Sequence, residues 1–483
     1  MRRRGFSVVV PWCAALVSCA LIPCLGAGCG GGSPGETDTE SAGYVDSAPG
    51  GGVLTLPAGS DSGIDLTTSG GLKCDMGAPA ETDALPGGGG DCWGGGPMGN
   101  TPDFSNIWIA NSPEGTVSKI DTVSGVELAR YSTGPEAVPE PSRTSVNLYG
   151  DAVVVNRGGG IVGNPSAGSI TKIAAREEDC EDRDGNGSIE TSSGAANVLP
   201  WFQDECVLWN HPIPSDHYQH GPRPVAWEGA VGLDGCANAN PRVWVGWYDY
   251  VGNSGRFQRL NSATGQVEDE VVVPAWSTAL GQLNYGPYGG AVDGDLDFWV
   301  VGWQQGPLVR IDGETLEYDR VEFPQPPSGQ MWTYGMALDQ YGNPWIASAG
   351  VAAGYDPQTG QWSFIDTGNQ SMRGVMVSDE DRAYYAVDAG AGLGGGCGLG
   401  VIDVNTKSML APLVNISGCV TPVGVSIDVD GFIWLVDQGA NAAFKISPQN
   451  YQVQLTVTGL NSPYTYSDMT GAGLQLVTFP PVG

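Results

Sequence analysis

The feature that most limits what this chain can fold into is a motif that returns along its length. Asp293-Gly-Asp-Leu-Asp-Phe-Trp299, Asp339-Gln-Tyr-Gly-Asn-Pro-Trp345 and Asp428-Val-Asp-Gly-Phe-Ile-Trp434 each place a Trp six residues after an Asp. Ser378 to Tyr384 and Asn147 to Val153 keep the spacing with weaker residues. Before four of these sits Gly-x-x-aliphatic: Gly289 to Val292, Gly335 to Leu338, Gly374 to Val377 and Gly424 to Ile427. A second signature follows the aromatics. It reads Ile120-Asp-Thr-Val-Ser-Gly125, Leu260-Asn-Ser-Ala-Thr-Gly265, Ile311-Asp-Gly-Glu-Thr-Leu316 and Tyr355-Asp-Pro-Gln-Thr-Gly360. Ile402-Asp403 and Ile446-Ser447-Pro448 are weaker copies. Asp opens such a turn through its side chain and Gly accepts the positive φ. Short alternating runs between the signatures, such as Leu308-Val-Arg-Ile, read as strands.

Four short antiparallel strands in a unit of about 40 to 55 residues make a propeller blade. Seven Trp-strand positions can be placed: Trp108, Val153, Trp244, Trp299, Trp345, Tyr384 and Trp434. The third unit shows Leu233-Asp234 before Trp244, with an insertion holding Cys236. The first unit begins at its Trp strand and lacks an inner strand. The tail, Ser467-Asp-Met-Thr-Gly471, resembles that missing strand. The reading is an all-β, seven-bladed β-propeller of four-stranded antiparallel blades over 101–483. Its two ends pair, which removes exposed sheet edges. An open β-solenoid would leave the complementary deficit unexplained.

The body, about 101–479, resembles the streptogramin lyase (virginiamycin B lyase)-like seven-bladed propellers, close cousins of NHL-repeat propellers. The Gly-x-x-x-Asp…Trp strands and Asp-x-x-Thr-Gly turns carry the likeness. The resemblance implies the architecture. It also implies, for an enzyme of that family, a His general base and acidic residues holding Mg²⁺ on late blades. This chain has three His, His211, His217 and His220, all before Trp227. None falls in blades four to seven. A proton-abstracting lyase needs a base near neutral pKa within reach of its substrate. No Gly-x-Ser-x-Gly elbow and no His-Glu-x-x-His occurs in the propeller body. No catalytic residue is therefore assigned, and a metal-assisted lyase stands as the alternative.

Charge narrows the partners. Lys plus Arg is 21 against 53 Asp plus Glu, a net of −32. Such a surface excludes a nucleic-acid binder and charge-driven docking on anionic lipid. The N-terminus reads Met1-Arg-Arg-Arg4, an apolar run from Phe6 to Leu25, then Gly26-Ala27-Gly28-Cys29. That pattern is a secretory signal over 1–28. Its end resembles the lipobox of bacterial lipoproteins, with Cys29 as the lipidated residue. It departs from that pattern at Gly26, where Leu is preferred. Residues 29–100 are Gly, Pro, Ser, Thr and acid with Lys73 the only base, and read as a disordered, flexible Gly-rich stalk. The expected address is the bacterial cell envelope, lipid-anchored at the outer membrane or cell surface, or secretion. The nearest-neighbour cysteine pairing is Cys74–Cys92, Cys180–Cys206 and Cys397–Cys419, with Cys236 left over. Spacing alone leaves the connectivity open.

Two places carry candidate sites. Within an insertion at about 176–221, oxygens fall at alternate positions: Asp182, Asp184, Asn186, the Ser188 carbonyl and Glu190. Gly187 and Ile189 fill the turn and anchor positions. The loop looks like the calcium loops of EF-hand and dockerin type, with a structural Ca²⁺. Ser193 stands where a bidentate acid belongs, so Asp204 or Glu205, returned by a Cys180–Cys206 bridge, would close the set. The competing reading is a solvated acidic turn. His217-Tyr-Gln-His220 offers half of a transition-metal site without a visible third ligand.

The second place is the mouth of the ring, where segments enter the inner strands. They read Tyr285-Gly-Pro-Tyr288, Met331-Trp332-Thr-Tyr334, Gln370-Ser-Met-Arg373 and Pro463-Tyr464-Thr-Tyr466. Tyr285, Tyr288, Trp332, Tyr334, Arg373 and Tyr464 are the candidate ligand-binding residues. Ring faces suit sugars or peptide side chains, and Arg373 could meet a carboxylate. The competing reading has these rings capping the core between blades. The expectation is a monomeric, non-enzymatic module for an extracellular glycan, peptide or protein. A structural envelope component is a further alternative.

Overall fold

The Asp-to-Trp spacing recurs because it closes a small hydrogen-bonded turn. In the computed structural model, the Asp428 Oδ1 accepts the N–H groups of Asp430 and Phe432, while Oδ2 accepts the Trp434 indole N–H at 2.9 Å. Asp293 does the same for Asp295, Asp297 and Trp299, and Asp339 for Tyr341, Asn343 and Trp345. Asn147 accepts from Tyr149 and Asp151 through its one amide oxygen. It has no second acceptor, and Val153, six residues on, has no indole to satisfy. The weaker copy is thus a consistent substitution.

The structure describes residues 105–480 except 136–138, 159–167, 216, 230–239, 278–284, 305, 325–331 and 389–395. The expected signal, its Cys29, the expected stalk and Cys74–Cys92 pairing, Asp234 and Cys236 lie outside the described residues.

The first blade holds β1 (Asn106–Asn111), β2 (Thr116–Asp121) and β3 (Glu127–Ser132). The second is β4 (Pro141–Val146), β5 (Ala152–Asn156), β6 (Gly168–Ile173) and β7 (Val207–Ile213). The third is β8 (Val225–Trp227), β9 (Arg242–Asp249), β10 (Ser254–Asn261) and β11 (Val267–Pro274). The fourth is β12 (Pro287–Val292), β13 (Phe298–Gly302), β14 (Leu308–Ile311) and β15 (Tyr318–Val321). Each is an antiparallel meander from inner to outer edge.

The next two blades share strands. β16 (Trp332–Leu338) pairs with 344–349 of β17 (Pro344–Asp356), and 351–356 of β17 pairs with 361–366 of β18 (Gln361–Val377). β17 turns at Gly350 (φ 85°), which brings Gly354 against the Trp345 ring. β18 then runs on as the inner strand of the sixth blade, through 372–377, beside β19 (Arg382–Val387), β20 (Gly398–Asp403) and β21 (Ser408–Asn415). The seventh blade is β22 (Pro422–Ile427), β23 (Ile433–Asp437), β24 (Ala442–Ile446) and β25 (Val453–Thr458).

The tail completes the first blade. Asn111 bridges Pro463, Tyr464 N–H donates to the Ala110 carbonyl at 2.9 Å, and Trp108 N–H donates to the Met469 carbonyl at 2.9 Å. The Ser467 hydroxyl donates to the Thr144 carbonyl of the second blade. The fold is therefore the expected all-β seven-bladed propeller, closed by the two ends of the body.

The Gly-x-x-aliphatic motif marks where inner strands meet. Each of the four glycines stands at a register shift against its own second strand. A Cβ on Gly335 would meet the Arg373 carbonyl at 2.6 Å, on Gly374 the Val423 carbonyl at 2.8 Å, and on Gly424 the Thr465 carbonyl at 1.8 Å. Glycine lets neighbouring inner backbones touch. Blades one and two carry Tyr466 and Arg143 at the equivalent position.

The far ends of the inner strands are covered by α1 (Ala472–Thr478), whose Leu474 and Val477 pack with Trp227, Met336 and Leu338. A cavity of about 40 Å³ remains there, between Trp227, Met336, Met376, Asp468 and Leu474. The Asp468 carboxylate accepts the N–H groups of Thr470, Gly471 and Leu474 and so ties α1 to the ring. Both expected bridges within the body, Cys180–Cys206 and Cys397–Cys419, are formed.

Candidate functional site

Among the described residues, six of the seven blades send a side chain to the mouth. Tyr288 and Tyr334 come from β12 and β16, Arg373 from β18, Tyr464 and Tyr466 from the tail, Arg143 from β4, and Arg223 from the approach to β8. The tyrosines form one packed group. Tyr288 meets Tyr334 edge-on at 4.9 Å and stacks with Tyr466 at 5.8 Å. Tyr334 lies 4.7 Å from Tyr466. The Tyr464 hydroxyl is hydrogen-bonded to that of Tyr334 and lies 3.5 Å from that of Tyr288.

Guanidinium groups are threaded through these rings. Arg143 lies over Tyr466 and 5.0 Å from the Tyr288 ring centre. Arg223 lies 4.6 Å from Tyr285 and 5.4 Å from Tyr288. Arg157 lies 5.1 Å from Tyr464 and is paired with Glu140. Arg373 lies 5.7 Å from Tyr334 and is held by the fully buried Asp388. Cation–π contact offsets part of the cost of placing charge among rings. Burial pulls the Arg143 pKa down to about 9, against the opposing pull of Tyr288, Tyr464 and Tyr334, so the group is charged at neutral pH.

The outer wall is more open. Tyr285 meets the edge of Trp303 at 4.7 Å, and Trp303 meets Trp332 at 6.4 Å. Trp332 is 49% exposed, whereas Tyr285, Tyr288, Tyr334 and Tyr464 are buried. All six residues singled out from the sequence thus converge on one cluster. Arg373 is already committed to Asp388, and only Trp332 reaches far into solvent.

Sequence reasoning passed over Arg143, Arg157, Arg223, Trp303 and Tyr466. One signal was present. Arg143-Thr-Ser-Val146 is the Gly-x-x-aliphatic motif with Arg in the glycine position. A large cation standing where four other copies have glycine marks the hub.

The imidazoles sit on the neighbouring wall. His220 stacks on Tyr250 at 4.7 Å and meets the edge of Tyr248 at 5.6 Å, and His217 lies 5.6 Å from His220. The Tyr218, Gln219 and Gly221 carbonyls accept from Arg223, which fastens this turn to the mouth. Among the described residues no third His, Cys, Asp or Glu joins the two imidazoles in a metal-sized group. His211 is elsewhere, on β7, bonded to Gln258, and burial lowers its pKa.

In the insertion, carboxylate oxygens of Asp182, Asp184 and Glu205 all lie within 4.8 Å of one another. Asp182 accepts the N–H groups of Gly185, Asn186 and Gly187, which wraps the loop around its own carboxylate. Asn186 bonds Asp184 and Glu190, and the Ser188 N–H donates to the Asn186 side chain. Of the two acids considered for closing the set, Glu205 is the one in the group. Asp204 is occupied with Thr191, Ser192 and Cys206. Burial works to raise the Glu205 pKa, but the N–H groups of Glu190, Arg183 and Asp184 prevail and lower it. A carboxylate kept ionised beside two others is suited to a hard cation.

No family profile and no curated protein matches the chain. Similar solved structures include AztD from Citrobacter koseri, at 12% identity and a TM-score of 0.44, over 75% of this chain and 96% of that one. They include virginiamycin B lyase from Staphylococcus aureus with quinupristin, at 13% identity and a TM-score of 0.42, over 68% of this chain and 84% of that one. A protein from Lactobacillus plantarum gives 12% identity and a TM-score of 0.49, over 75% and 98% of the respective chains. The resemblance to streptogramin lyases is one of fold. Propellers host many unrelated functions, so activity has to be argued from the site.

Proposed function

We propose that this propeller is a non-enzymatic recognition module. Its mouth binds an extracellular glycan, peptide or protein, and it works from an envelope lipid anchor at Cys29 or as a secreted protein. One observation carries the reading: an exposed Trp332 standing on Trp303 at the rim of a buried Tyr–Arg hub. Exposed aromatics beside rigid, buried ones are the usual anchors of recognition surfaces. The chain acts as a monomer. A structural Ca²⁺ held by Asp182, Asp184 and Glu205, with Asn186, Ser188 and Glu190 around it, orders the insertion beside the second blade.

The test is a glycan and peptide array probed with the chain and with Trp332→Ala. Loss of an aromatic anchor should lower affinity at least tenfold, the scale of an interface hot spot. Absence of any binding would overturn the reading, and binding unchanged by the substitution would remove the mouth from it. Metal-dependent turnover lost on His220→Ala would favour the lyase-like alternative, because His220 is on the wall adjoining Arg223.

A further inference from the structure

Arg143 is 1% exposed and its Nη1 donates to the Ser142 carbonyl. Its Nε and Nη2 have no hydrogen-bond partner among the described residues. These two nitrogens lie on one edge of the guanidinium, the edge that grips a carboxylate side-on with two parallel bonds. Arg223, also 1% exposed, spends Nη1 and Nη2 on backbone carbonyls and leaves Nε without a partner. The buried Tyr466 hydroxyl, on the ring beneath Arg143, has none either. Among the described residues no carboxylate pairs with Arg143 or Arg223.

Leaving one such donor buried and unmade costs about 1–3 kcal/mol, more when it is charged. Two neighbouring cations also repel. A fold that holds both at its hub, from different blades, is arranged for a negative group that comes from outside. We infer that the hub binds a carboxylate of the ligand, gripped side-on by Arg143 Nε and Nη2 and met by Arg223 Nε and the Tyr466 hydroxyl. Four donors match the roughly four lone-pair sites of one carboxylate. A phosphate brings more acceptors than the hub supplies. Arg373 does not take this part, because Asp388 already holds it. The inference deepens the recognition reading, and rests on it only for the claim that ligands enter at the mouth.

The test needs no macromolecular ligand. The full-length chain is melted in sodium acetate, sodium phosphate and sodium chloride at matched ionic strength and pH 7. Acetate should raise Tm by about 3 °C at a hundredfold excess over its Kd, and chloride should not. Arg143→Lys keeps the charge but loses the two-toothed edge, and should abolish the acetate effect. Tyr466→Phe keeps the ring, and should weaken the effect several-fold if Arg143→Lys fails to fold. An acetate effect absent from the parent, or unchanged in both variants, would overturn the inference. So would a phosphate effect with acetate inert. Array failure with an intact acetate shift condemns only the recognition reading. Array binding without the shift condemns only the hub site.

Discussion

At the scale of single residues, glycine and arginine do opposite things at one register position. Gly424 has no side chain because the Thr465 carbonyl occupies the space, at 1.8 Å from where a Cβ would stand. Gly424→Ala must push two inner backbones apart at the seam where the ring closes. The expected loss is about 2–3 kcal/mol, the upper part of the overpacking range, read as a lower urea midpoint. Gly431→Ala is the control. Its Cβ would meet nothing within 4 Å, but φ is 79°, so the loss should be about 1 kcal/mol. Equal losses for the two would refute the close-approach account. The glycine's place in the repeat is legible in the sequence, since spacing alone finds it. Its contact is not, because spacing says nothing about what the next blade presents. Arg143 shows the same limit. The motif locates its position, yet only packing shows that two of its donors lack partners.

At the scale of elements, the outer turns are fixed by a side chain more than by glycine. Asp121, Asn261, Asp312, Asp356 and Asp403 each accept the N–H three residues on. The fifth residue of the turn has positive φ whether it is Gly125, Gly265 and Gly360 or Leu316 and Lys407. The Asp was therefore a better guide to these turns than the Gly. β18, by contrast, serves two blades, and the change-over falls at Asp366-Thr-Gly368, where Gly368 has φ 63° and donates its N–H to Asp366 and the register skips from 366 to 371. The calcium loop is the element whose behaviour is most readily measured. Asp184→Ala should lower Tm by several degrees in calcium and leave the melt in chelator unchanged, because a bound ion stabilises only the folded loop. Identical melts of the parent with and without chelator would sink the site. Glu205 was open to sequence reasoning only as one of two candidates. The choice between adjacent acids depends on which carboxylate the Cys180–Cys206 corner turns inward.

At the scale of the whole molecule, the ring is a single cooperative object because its last segment supplies its first blade. A chain ending at Leu460 would lose the strand partners of Trp108 and Ala110, together with α1 and the Asp468 anchor. It should show no cooperative melt by near-ultraviolet circular dichroism. A truncated chain melting like the parent would show that closure is dispensable. The complementary deficit at the two ends was readable from the repeat count, whereas the covering of the channel's far end by α1 was not. A seven-residue helix carries too little periodicity to stand out.

The closing seam also sets an order of events during synthesis. A ribosome delivers β1 more than 350 residues before Pro463–Thr470, so a nascent chain carries an open inner edge on its first blade until that segment emerges. An unpaired strand edge is a template for pairing with another chain. Products that stop before Pro463 would keep that edge permanently, which makes delivery of residues 463–470 the step that separates a closed ring from material prone to aggregate.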